Sequence, residues 1–153
     1  MPQAFAAGLL TAISAVHRTT RRAVRHASPT EPLPTAWSEL LRLTVSRPGI
    51  SVAEAARELR LAPNTVSTIV GALAAQGLIT RGRSRADGRT VRLNATNKAR
   101  QRLRQWRDLR AELAAHALAG LPAGDRDALS AAIPALMRLA ERMENPVGEK
   151  EAG

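Results

Sequence analysis

The sequence predicts a mainly helical fold with one small β-hairpin. Apolar side chains recur at three- and four-residue spacing through most of the chain, which places them on one face of a helix. Only the stretch between Gly77 and Thr96 pairs short β-branched segments across a glycine-containing turn. The 153 residues, 44% apolar and 24% charged, suit one domain with a helical appendage and supply enough apolar matter for a core.

Each element follows in order. Residues 1–27 read as a helix with an apolar half and a basic end, although their arginine-rich, acid-free composition also fits an organellar transit peptide. The apolar run Ala4 to Val16 is interrupted by Gly8, Thr11 and Ser14 and falls short of the roughly 20 residues a membrane span needs, so no membrane partner is expected. Three prolines between Ser28 and Pro34 end that helix. Trp37, Leu40, Leu41 and Val45 then form one apolar face, stopped by Pro48-Gly49. Ser51-Val-Ala-Glu54 has the spacing of a capping box, opening a helix to about Arg60. Pro63 starts the next, with Val66, Ile69, Val70 and Leu73 inward and Gly77 at its end. The hairpin that follows is expected to be the only β element. A long helix from Thr96 to about Ala119 is broken at Leu121-Pro122, and a final helix from about Gly124 to Glu144 carries Leu129, Ile133, Leu136, Leu139 or Ala140, and Met143 as a packing stripe. Pro134 is expected to kink or split it near Ser130.

Two short helices joined by a tight bend and followed at once by a basic hairpin have the order of a winged helix-turn-helix. The second helix of such a motif enters the DNA major groove, so its exposed N-terminal turns should carry small polar groups. Asn64, Thr65, Ser67 and Thr68 do so here. In the hairpin, Arg81, Arg83, Arg85, Arg89 and Arg92 surround a turn at Asp87-Gly88. Arg83, Arg85 and Arg89 are expected to contact DNA, with Asp87 orienting Arg89 toward the narrow, negative minor groove. The bland alternatives are a capped, solvated helix start and a plain turn aspartate.

Charge agrees with a polyanionic partner. Lys and Arg total 23 against 13 acids, a net charge of +10, and only Lys98 and Lys150 are not arginine. Arg100, Arg102, Arg104, Arg107 and Arg110 on the long helix are read as structural or generally electrostatic. Two percent aromatic content leaves too few rings to stack successive bases of a single strand. Zero cysteine excludes a disulfide scaffold and a thiolate metal site, and His17, His26 and His116 lack ligand spacing, so no metal is expected. No nucleophile–base pair or phosphate-binding glycine loop is present, and no catalytic residues or cofactor are expected. Trp37 and Trp106 are read as core residues, with lining of an apolar ligand cavity as the alternative.

From about Trp37 to Arg100 the chain resembles the multiple-antibiotic-resistance regulator (MarR) family of bacterial transcription factors. Thr65-Val66-Ser67 matches the usual start of that family's recognition helix, and Asp87-Gly88-Arg89 followed by Val91-Arg92-Leu93 matches its wing. Thr68 and Gly71 stand where the family often has an arginine and an acid, so no base preference carries over. The resemblance implies a homodimer in which the first and last two helices of two chains interlock, a palindromic double-stranded operator, and a small anionic or phenolic effector bound between that region and the DNA-binding lobe. It also implies a cytoplasmic, nucleoid-associated bacterial protein.

The organisation expected is therefore a dimerisation helix and proline-rich turn over 1–34, a winged helix-turn-helix over 35–95, dimerisation helices over 96–145 and a flexible tail over 146–153. The function expected is a homodimeric, ligand-responsive repressor. Its competitors are a non-specific architectural or replication-associated winged-helix protein and a basic protein docked on an anionic membrane through its first helix.

Overall fold

Proline and glycine set most of the element borders. A computed structural model describes residues 3–83 and 91–144, with the backbone alone for Arg83. Among these residues are six helices: α1 (Gln3–Ala27), α2 (Thr35–Ser46), α3 (Val52–Leu59), α4 (Pro63–Ala75), α5 (Asn97–Ala119) and α6 (Ala123–Glu144). Three strands accompany them: β1 (Ile50–Ser51), β2 (Ile79–Arg83) and β3 (Val91–Ala95). The chain divides into a unit ending at Leu113 and a second beginning at Ala114.

In the first unit, Leu40 and Leu41 of α2, Val66 and Leu73 of α4, Leu78, and Leu93 of β3 are fully buried, with Ile69 and Val70 beside them. Each such side chain contributes about 1.5–3 kcal/mol on burial. Trp37 and Trp106 pack partly buried against this core. The capping box forms as its spacing requires: the Glu54 amide donates to the Ser51 hydroxyl at 3.2 Å, and the Ser51 amide donates to the Glu54 carboxylate at 2.8 Å. Arg60 ends α3 in the left-handed conformation at φ 53°, and Gly77 turns the chain out of α4 at φ 69°, where lacking a Cβ removes the strain.

One expectation is corrected. The hairpin is not the only β element, because Ile50 and Ser51 form a third strand, pairing with Leu93 and Arg92 in the order β1-β3-β2. Arg92 holds that edge by donating to the Gly49 carbonyl at 3.2 Å and to Glu54 at 3.3 Å. Two residues are too few to show alternation, and their partners lie some forty positions away.

Thr96 joins the sheet to α5. Its hydroxyl accepts from the Ala99 amide at 3.2 Å and donates to the Gly77 carbonyl at 2.8 Å. In the second unit α6 passes through Pro134 without a break, so the expected split is not found. Proline removes one amide donor from the ladder, and the Ser130 region that loses it is exposed to solvent.

Candidate nucleic-acid interface

Burying Val66, Ile69, Val70 and Leu73 fixes the rotation of α4 and so decides which residues face outward. Asn64, Thr65, Ser67 and Thr68 are all exposed, together on the face opposite that stripe. No side chain caps the first turn, whose N-cap is Ala62 and whose first residue is Pro63. The positive end of the helix dipole faces solvent there, which favours a phosphate.

The hydroxyls and amide are not equivalent. The Thr68 hydroxyl donates to the Asn64 carbonyl at 3.0 Å, which leaves it an acceptor and a methyl group for an incoming partner. The Asn64 Oδ1 accepts from the Thr65 amide at 2.8 Å, leaving its NH₂ donors outward. A donor and an acceptor one turn apart can address complementary groups on a base edge.

The hairpin rises directly after this helix, its register running from Ile79 opposite Ala95 to Arg83 opposite Val91. Arg83 closes β2 at the base of the turn. Arg85, Asp87 and Arg89, the residues expected to form the tip, lie outside the described residues. Arg92 turns back into the fold as the partner of Glu54. Ser51's side chain, and then its amide, hold the Glu54 carboxyl below the usual carboxylate range, with further lowering from Arg92 and Arg47.

Two features had no clear signal in the sequence. Arg102 straps the chain before α2 to the end of α4, donating to the Glu31 carbonyl at 2.7 Å and the Gln76 side chain at 3.2 Å while lying 5.8 Å from the Trp106 ring. Burial lowers its pKa. Between α2 and α5 opens a cleft of about 400 Å³ lined by Arg42, Leu103, Arg104, Trp106 and Arg107 among others. One aromatic wall among arginines suits a flat anion. Among the described residues no group of three or more acids and histidines is placed to hold a metal, and no helix is long and apolar enough to cross a membrane.

A buried helix pair, a polar-faced second helix and an adjoining basic hairpin define a winged helix-turn-helix protein. Residues 32–90 match the family model of the MarR family. Solved structures agree over nearly the whole length. A Pseudomonas aeruginosa protein described as a transcriptional regulator is 28% identical, with a TM-score of 0.77 over 90% of this chain and 94% of that one. A MarR family protein from Bacillus stearothermophilus is 19% identical, with a TM-score of 0.73 over 95% and 99%. FabT of Streptococcus pneumoniae, solved in complex with DNA, is 20% identical, with a TM-score of 0.68 over 92% and 98%. No curated protein matches the sequence significantly.

Proposed function

We propose that this protein is a homodimeric transcriptional regulator that binds a palindromic double-stranded operator and represses until a small anionic or phenolic ligand releases it. The observation carrying this reading is the exposed set Asn64, Thr65, Ser67 and Thr68 on α4, next to the arginine-bearing wing strands. The helix enters the major groove, and Arg83, Arg85 and Arg89 follow the adjoining backbone and minor groove with Asp87 orienting Arg89. Regulation by binding requires no catalysis.

A second copy accounts for the apolar side chains left in water. Phe5 and Val16 of α1 are 56% and 68% exposed, and Ile133 and Met137 of α6 are 58% and 59% exposed, more apolar surface than an isolated chain normally leaves uncovered. The cleft beside Trp106 is the place for the effector, because α2 and α5 connect the DNA-binding elements to the helices expected to dimerise.

Footprinting on the DNA flanking its own gene tests the reading. Protection of one palindromic site supports it, and uniform protection of all sequences supports a non-specific architectural protein in its place.

A further inference from the structure

We propose that Arg81 is a base-reading residue of the recognition surface, seated over α4 by the glycine at position 71. This rests on the DNA-binding reading above and adds a residue that the polar turns of α4 do not supply. The β2–β3 register places Arg81 opposite Leu93 and on the same sheet face as Ile79, which stands opposite Ala95. Ile79, Leu93 and Ala95 are all buried. That face packs toward α4, so an arginine on it must leave the core or lose its hydration. It leaves over Gly71: a Arg81 guanidinium nitrogen lies 3.5 Å from where a Cβ at that position would sit.

Gly71 follows Ser67 by four residues and Thr68 by three, which puts it on the same outward face one turn further on. Beyond Thr68 that face consists of Gly71, Ala72 and Ala75, none with a polar side-chain atom. Arg81 brings a guanidinium to this otherwise blank half. Its position near the middle of the outward face, not at a flank, directs it to base edges before phosphates. Among the described residues Arg81 makes no hydrogen bond or ion pair, so its planar set of donors is free for the O6 and N7 acceptors of guanine.

Duplexes enriched from a random pool by the wild-type protein supply the probe. Arg81→Ala is expected to bind the enriched duplex about 5- to 150-fold more weakly, the cost of one specific contact, and a random duplex of equal length less than about threefold more weakly. Its own enrichment should lose preference for one guanine in each half-site, with an unchanged melting temperature. Arg81→Lys should restore little, since it keeps charge without the fork. Gly71→Leu fills the seat without adding charge and should remove the same preference. Equal loss on both duplexes, or an unchanged preference in either variant, overturns the proposal while the DNA-binding reading stands. A wild-type protein that enriches no duplex overturns that reading itself.

Discussion

Arg92 donates to the Glu54 carboxylate across 3.3 Å, joining the strand that leaves the wing to the first turn of α3. Glu54 also accepts from the Ser51 amide, so one carboxylate ties the cap of α3 to β3, the central strand of the sheet. The wing and the helix-turn-helix are thereby fastened at their common base.

This carboxylate gives the fold a pH dependence of known sign. Ser51's hydrogen bonds, with Arg92 and Arg47, lower the Glu54 pKa from its ordinary value of 4.5. A depressed carboxylate stabilises the folded state fully above the unfolded value, and that contribution is lost as pH falls through the folded value. Glu54→Gln should therefore melt below wild type at neutral pH and converge with it as pH falls through the lowered Glu54 value. Ser51→Ala should cost about 1 kcal/mol by denaturant titration, the usual loss for an N-cap.

Disrupting the exposed face of α6 should dissociate the dimer. Ile133→Glu with Met137→Glu places two charges where apolar side chains are more than half exposed. Sedimentation should show a monomer that retains the helix content of the first unit, and DNA affinity should fall with dimerisation. Deleting residues 122–153 should give monomers or aggregates, and a truncated protein that stays dimeric with full affinity contradicts the interface.

At the wing, Arg89→Ala should leave melting and dimerisation unchanged and weaken operator binding. Lysine at that position should rescue it in part, because it keeps charge but loses the planar fork that Asp87 orients. Thr65→Ala or Ser67→Ala should instead change which operators are preferred, by about 1–3 kcal/mol per lost contact. Operator and random-duplex titrations of these variants separate the two effects.

Salicylate, a flat phenolic anion, should quench tryptophan fluorescence and weaken operator binding. Arg104→Glu together with Arg107→Glu reverses the charge beside Trp106 and should abolish both effects, with operator release compared to the variant's own ligand-free affinity. Release of operator that persists in this variant would place the effector elsewhere.

Local signals account for what was legible in the sequence. The Ser51/Glu54 spacing, Pro63 and Gly77 marked helix borders that the structure places within a residue or two, because caps and breakers act through neighbouring backbone. The polar face of α4 was legible because the apolar period of Val66 to Leu73 fixes the rotation of the helix. Features set by distant pairing were not legible. Strand β1 exists only through β3, and the Arg102 strap joins residues 71 positions apart. Arg81 appeared as one wing arginine among several, because its seat depends on a glycine ten positions earlier on another element. Pro134 was a strong local signal too, yet it does not split α6, which continues through it.

A dimer that grips duplex DNA through α4 and the wing displaces counterions from many phosphates, and the salt dependence of operator affinity reports that displacement. With six to ten phosphate contacts, affinity for the footprinted duplex should fall roughly 10³- to 10⁵-fold between 50 and 200 mM salt, while a scrambled duplex binds more weakly at every concentration. An affinity that is flat over that range, or equal for the two duplexes, would contradict the account.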